Sequence, residues 1–102
     1  MNELKFPFVR VIFVCTNTRE GRAACGNAER GESSGGKTVE ALKHAVKERG
    51  LKGRVRVAQS GCMDLCGAGP NVMVFEAGRQ ICLTRVSEQD VPAIIDKYLP
   101  VV

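Results

Sequence analysis

Residues 9–15 read Val-Arg-Val-Ile-Phe-Val-Cys, a run that is apolar apart from Arg10. Valine, isoleucine and phenylalanine at this density are typical of a strand that lies buried inside a sheet. We therefore predict a strand over Val9–Val14, which leads directly into Cys15. The order of the elements that follow this strand decides the fold.

A helix and a second strand come next. Between Lys37 and Arg49, valine, leucine and alanine recur at helical spacing, and Gly50 marks the end of the predicted helix. Residues 54–59 then alternate between polar and apolar side chains, which predicts a strand with one covered face. A strand, a crossover helix and a second strand favour two parallel neighbours joined by a right-handed connection.

The last third of the chain predicts a hairpin and a second helix. The segments Val72–Phe75 and Gln80–Thr84 flank a short turn that contains glycine, so we expect them to pair antiparallel. Ser87 and Asp90 have the spacing of a capping box, and Pro100 ends the helix that they open. The predicted fold class is therefore α/β, a thioredoxin-like, four-stranded mixed sheet in β-α-β-β-β-α order with two flanking helices.

Length and composition limit the classes of protein to which the chain can belong. The 102 residues are 44% hydrophobic and 25% charged, as expected for one globular domain over residues 1–102. The longest apolar runs are Val11–Cys15 and Val72–Phe75, far below the roughly 18 residues of a membrane span. The N-terminus has no signal-peptide pattern, so we expect a cytoplasmic protein without a membrane association. The net charge of +4 is spread without a basic tract, so nucleic-acid binding is not expected.

Five cysteines are many for a chain of this length in a reducing compartment, where disulfides are rare. Cys15 and Cys25 bracket part of the loop after the first strand, and Cys62 and Cys66 lie in the loop after the second. Because parallel neighbours end at the same edge of a sheet, we expect the four thiolates to converge there. Sulfur ligands of this kind select an iron–sulfur cluster, zinc or copper(I).

The residues around the cysteines favour a 2Fe-2S cluster among these metal centres. Such a cluster needs two thiolates on each iron and backbone N–H groups near its sulfurs, and glycine permits that close approach. Five glycines lie within four residues of one of these cysteines: Gly21, Gly26, Gly61, Gly67 and Gly69. Zinc sites and dithiol redox sites commonly use a Cys-x-x-Cys pair, which this sequence lacks. A four-cysteine zinc-binding structural or interaction module, a thiol-disulfide redox protein and ordinary buried or disulfide-bonded cysteines are the alternatives.

Three stretches resemble the thioredoxin-like 2Fe-2S ferredoxins of bacteria, the Shethna type: Cys15-Thr-Asn-Thr-Arg19, Cys25-Gly26, and residues 61–70, which read GCMDLCGAGP. The resemblance implies that Cys15, Cys25, Cys62 and Cys66 are the cluster ligands. It also implies a one-electron carrier without substrate chemistry of its own, redox partner proteins, and a homodimer.

One departure from that family leaves a related function open. The gap between Cys15 and Cys25 is shorter than is usual in the free ferredoxins of the family. The shorter gap resembles the 2Fe-2S subunit of NADH dehydrogenases and hydrogenases, where the first cysteine pair is closer still. That subunit normally has a helical N-terminal region, for which this sequence shows no pattern.

Residues 31–38 read GESSGGKT and match the phosphate-binding motif G-x-x-x-x-G-K-[ST] letter for letter. In that motif the loop leaves directly from a buried strand, whereas the residues before Gly31 are largely polar. We therefore interpret the stretch as a glycine-rich loop that enters the first helix, capped by Ser33 or Ser34.

Cys82 is the odd cysteine, because it lies outside both loops and between Ile81 and Leu83 in the predicted hairpin. A free cysteine among aliphatic residues usually packs as a small apolar side chain. We therefore predict that Cys82 packs in this way and is not a cluster ligand.

Overall fold

The computed structural model describes residues 1–21, 24–61 and 69–99, so Cys62, Cys66 and Pro100 lie outside the described residues. The β-α-β-β-β-α order is confirmed, and a short 3-10 helix precedes each α-helix. In chain order, the elements are β1 (Arg10–Cys15), a 3-10 helix (Ala28–Ser33), α1 (Gly35–Glu48), β2 (Val55–Ser60), β3 (Val72–Glu76), β4 (Arg79–Leu83), a 3-10 helix (Glu88–Asp90) and α2 (Val91–Tyr98).

The four strands form one mixed sheet in the order β2-β1-β3-β4. β1 pairs parallel with β2 along its whole length, from Arg10 opposite Val55 to Cys15 opposite Ser60. β3 is antiparallel to both β1 and β4. The predicted parallel pair and the predicted hairpin are therefore both confirmed, and the apolar composition of β1 agrees with its central position.

Both α-helices contribute to one hydrophobic core on one face of the sheet. Ile12 of β1, Leu42 of α1 and Leu99 after α2 are fully buried there. Side chains alternate along a strand, so β1 turns Val11 and Phe13 to the other face, which we call the second face. None of the described ranges contains a helix long and apolar enough to cross a membrane.

The start of α1 lies two residues before the predicted one, at Gly35. Ser34 is the cap, because its side-chain oxygen accepts a hydrogen bond from the backbone N–H of Lys37 at 3.4 Å. Ser33, the other candidate, instead accepts from the backbone N–H of Glu88 at 3.0 Å. The cap at Ser34 therefore fixes where the first helix begins and links it to the preceding loop.

The capping box at the start of the last helical segment is confirmed. The backbone N–H of Ser87 donates to the side chain of Asp90 at 2.9 Å, and the Ser87 hydroxyl also contacts that carboxylate. The box opens the 3-10 helix rather than α2 itself. Pro92 then falls in the first turn of α2, where a missing N–H costs nothing.

Candidate metal centre

Cys15 is the last residue of β1 and is 1% exposed. Its backbone N–H donates to the carbonyl oxygen of Asn71 at 3.2 Å. The backbone N–H of Thr16 donates to the carbonyl oxygen of Ser60, also at 3.2 Å. The carboxyl end of β1 therefore meets the end of β2 and the residue that leads into β3. This is the sheet edge at which the sequence places the cysteine loops.

Cys25 lies in the first loop and is also 1% exposed. Its carbonyl oxygen accepts from the N–H of Gly35 at 2.8 Å, so the loop is held against the start of α1. Its sulfur accepts from the side-chain amide of Asn71, with 3.8 Å between Nδ2 and Sγ. The structure therefore brings Cys25 to the same place as Cys15, because both contact Asn71.

Two glycines make this close approach possible. A Cβ added to Gly35 would fall on the backbone carbonyl oxygen of Cys15, and one added to Gly26 would fall on that of Thr16. Any other residue at these positions would push the loop and the helix away from the end of β1. Gly26, which sequence analysis singled out, and Gly35, which it did not, therefore both shape the site.

The start of α1 lies next to the two cysteines of the site. The first turn of this 14-residue helix contacts the backbone of both Cys15 and Cys25 through Gly35. The N-terminal end of a helix carries a partial positive charge, which stabilises negative groups nearby. The positive end of the helix dipole therefore lies next to Cys15 and Cys25.

The second predicted pair, Cys62 and Cys66, lies outside the described residues. The described residues on either side of that segment, Ser60 and Asn71, both form hydrogen bonds at the end of β1. Within residues 1–21, 24–61 and 69–99, no group of three or more His, Cys, Asp or Glu side chains could hold a metal ion.

Comparison with known proteins identifies the family. No family model matches the chain. A 2Fe-2S ferredoxin from Clostridium pasteurianum is 30% identical over 88 residues, which are 86% of this chain and 82% of that ferredoxin. The chain belongs to the 2Fe-2S ferredoxins.

Solved structures of a thioredoxin-like [2Fe-2S] ferredoxin from Aquifex aeolicus share the fold. The wild-type crystal structure at 1.5 Å resolution is 26% identical, has a TM-score of 0.72, and matches 90% of this chain and 86% of that chain. Another structure of the same ferredoxin is 25% identical, has a TM-score of 0.74, and matches 91% of this chain and 82% of that one. The predicted thioredoxin-like fold and the predicted family are both confirmed.

The expectation that Cys82 packs as an apolar side chain is wrong, because Cys82 is exposed. Ile81 and Leu83 turn toward the helices and are packed against the core, so alternation turns Cys82 to the second face. β4 is an edge strand, and β3 lies between β4 and β1. The backbones of β4 and β1 are therefore about 10 Å apart. Cys82 is therefore remote from the site at Cys15 and Cys25.

The structure agrees with the interpretation of residues 31–38 as a loop and helix start. Residues 28–33 form a 3-10 helix instead of the strand that a phosphate-binding loop requires. The backbone N–H groups of Gly35, Lys37 and Thr38 already donate within the protein, to Cys25 and to Ser34. These amides are therefore not available to bind phosphate oxygens.

Asn71 is, besides Gly35, a site residue that sequence analysis missed. It lies 46 positions from Cys25, so neither local spacing nor periodicity connects the two. The available signal was weak: a single polar residue between Pro70 and the apolar run that forms β3.

Proposed function

We propose that this protein is a one-electron carrier whose 2Fe-2S cluster is held by Cys15, Cys25, Cys62 and Cys66. The observation that carries the proposal is the juxtaposition of Cys15 and Cys25, both buried at one sheet edge and both in contact with Asn71. Membership of the 2Fe-2S ferredoxins supplies the type of cluster. We further propose that residues 1–102 form a single domain.

The spacing of the second cysteine pair supports its assignment to the site. Two solved structures of the Aquifex aeolicus ferredoxin are serine variants at two cysteines that lie four positions apart. Cys62 and Cys66 are also four positions apart. The backbone oxygens of Ser60 and Asn71, which lie on either side of the segment in sequence, accept hydrogen bonds from Thr16 and Cys15, so these two described residues lie at the site.

The residues present fit such a cluster chemically. Each iron takes two thiolates, and the chain offers four cysteines in the two loops at this edge. When bound, the cluster takes up or releases one electron. The chain itself buries the thiols of Cys15 and Cys25 and holds these two residues in place through Gly35 and Asn71, as an electron-transfer site requires. No general base or nucleophile is needed, because no substrate bond is made or broken.

The partners of such a carrier are redox proteins such as a reductase or an oxidoreductase. Four thiolates, two sulfides and two ferric ions give the oxidised cluster a charge of about −2. Added to the chain's +4, this makes the holoprotein about +2 when oxidised and about +1 when reduced. Net charge this small favours docking through local patches. The cytoplasm is the proposed compartment.

A homodimer is the proposed assembly, and the second face of the sheet supports it. Phe13, Met73 and Phe75 lie half-buried on that face, and the two phenylalanine rings pack edge to face at 5.7 Å. A half-buried aromatic pair is typical of surfaces that bind another protein.

We expect Phe75→Lys to lower the mass measured by sedimentation from two chains to one. Glu40→Lys, on the exposed side of α1, is the control. A wild-type protein that sediments as one chain would refute the proposed dimer.

Cysteine variants test the ligand assignment. We expect Cys25→Ala, Cys62→Ala and Cys66→Ala to reduce iron and sulfide well below the wild-type content, since each removes one of four thiolates. Cys82→Ala is the matched control and should keep about two irons and two sulfides per chain. The measurement is iron and acid-labile sulfide in anaerobically purified protein. Full cluster content in Cys62→Ala, or loss of the cluster in Cys82→Ala, would contradict the assignment.

A further inference from the structure

Asn71 connects Cys15 and Cys25. It is the residue before β3 and is 1% exposed. Its backbone oxygen accepts from the N–H of Cys15 at 3.2 Å, and its side-chain nitrogen donates to the sulfur of Cys25 at 3.8 Å. A buried amide is costly unless it is hydrogen-bonded, so the geometry points to a specific use of this side chain.

We propose that the side chain of Asn71 raises the reduction potential of the bound cluster through its N–H···S contact with Cys25. This inference rests on the proposed function. One electron, supplied by a redox partner, adds negative charge to the cluster and its thiolates, and no covalent bond is broken. A hydrogen bond to a ligand sulfur becomes stronger as that sulfur becomes more negative, so it stabilises the reduced state more than the oxidised state. Asn71 is thus a positioning and potential-setting residue.

The neighbouring donors do not replace this contact. The N–H of Gly35 points to the carbonyl oxygen of Cys25 rather than to its sulfur. Asn27, another buried asparagine near Cys25, contacts the backbone of Arg19 and the side chain of Glu29. Within the part of the chain that the structure describes, Asn71 is therefore the side-chain donor to the Cys25 sulfur.

Three substitutions separate the side chain from the backbone of Asn71. Each keeps the backbone carbonyl oxygen that accepts from Cys15 and removes the side-chain donor to the Cys25 sulfur. Asn71→Val removes the amide and suits a strand start, and Asn71→Ser leaves a side chain too short to reach the sulfur. Asn71→Asp has the same shape but replaces the donor with an acceptor, which is negative when ionised.

Redox titration of the holoprotein, followed by visible absorption, is the test. For Asn71→Val and Asn71→Ser we expect the ratio of reduced to oxidised cluster at a fixed potential to fall about three- to tenfold. A tenfold change in this ratio corresponds to 59 mV for one electron, so the midpoint potential should be lower by about 30–60 mV. Asn71→Asp should lower the midpoint potential further, because its carboxylate is negative when ionised. The control is Cys82→Ala, which alters an exposed residue remote from the site, and its midpoint should equal that of the wild type.

The outcomes distinguish this inference from the proposed function. If wild-type protein lacks iron and sulfide, the proposed function itself fails. If the wild type carries the cluster and the midpoint of Asn71→Val is unchanged or higher, only the role of Asn71 is refuted. If Asn71→Val does not retain the cluster, the test uses Asn71→Ser, and an unchanged or higher midpoint potential in that variant refutes the role of Asn71. Resonance Raman spectra give a second readout, because loss of the contact should shift the terminal iron–sulfur stretching band.

Discussion

Gly35 is the residue at which the helix, the loop and the strand of the site meet. Its N–H binds the carbonyl oxygen of Cys25, and the space for a Cβ is filled by the carbonyl oxygen of Cys15. The contact is with backbone rather than with the end of a flexible side chain, so a methyl group here can be accommodated only by moving α1 or β1. The site therefore depends on the absence of a side chain at this position.

The prediction for Gly35→Ala follows from that contact. We expect the free energy of unfolding to fall by about 1–3 kcal/mol, as for other overpacked sites, and the cluster to be lost faster under a chelator. Gly36→Ala is the matched control, since a Cβ there meets nothing within 4 Å. It should stabilise α1 by about 0.5–1 kcal/mol, because alanine favours a helix over glycine. Equal effects of the two substitutions in urea unfolding would contradict this account of the packing.

At the scale of elements, an ion pair ties β1 to β3 and α2. Arg10 donates to the carboxylate of Glu76 at 2.6 and 2.8 Å, and to the backbone oxygen of Tyr98 at 2.8 Å. The hydrogen bond from Arg10 holds the pKa of Glu76 below its usual value of 4.5, and the positive charges of Arg10 and Arg79 act in the same direction. The carboxylate is thus favoured in the folded protein over the unfolded chain.

This lowered pKa predicts a pH dependence of stability. A carboxyl group with a depressed pKa stabilises the fold above its usual pKa, and the effect is lost as the pH falls toward the folded pKa. The free energy of unfolding should therefore decrease less steeply from pH 7 to pH 4 in Glu76→Gln than in the wild type. Glu40→Gln, exposed on α1, should retain the wild-type slope. Urea unfolding at a series of pH values measures this, and a wild-type slope in Glu76→Gln would disprove the role of the pair.

The elements that sequence analysis predicted are those with strong periodicity. β1 and α1 bury most of their apolar residues, so the pattern of hydrophobic residues was sufficient to find them. The 3-10 helix Ala28–Ser33 was missed because none of its residues is buried. Cys82 was assigned wrong surroundings because the sequence does not show that β4 is an edge strand, which leaves one side of it uncovered.

The candidate site was predictable only in part, because some of its contacts join segments that are distant in sequence. The parallel pairing of β1 and β2 follows from the β-α-β order, and it places Cys15 opposite Ser60, the last residue of β2. The contacts of Asn71 and Gly35 with the cysteines depend on the packing of segments that are distant in sequence. No local pattern reports such contacts.

At the scale of the whole molecule, the aromatic pair and the two buried cysteines occupy different parts of the sheet. The helices cover one face and form the core, while the second face carries the half-buried pair Phe13 and Phe75. Cys15 and Cys25 lie at the edge where β1 ends, next to the start of α1. In the proposed function, the second face binds the other chain of the dimer, and the end of the sheet that carries Cys15 and Cys25 is left to the redox partner.

Electron paramagnetic resonance of the wild-type holoprotein tests this account most directly. A 2Fe-2S cluster on four thiolates is silent when oxidised and has one unpaired electron when reduced. After dithionite is added under anaerobic conditions, we expect a signal that integrates to about one spin per chain and matches a content of about two irons and two sulfides. A colourless protein with about one zinc per chain and no signal after reduction would contradict the account.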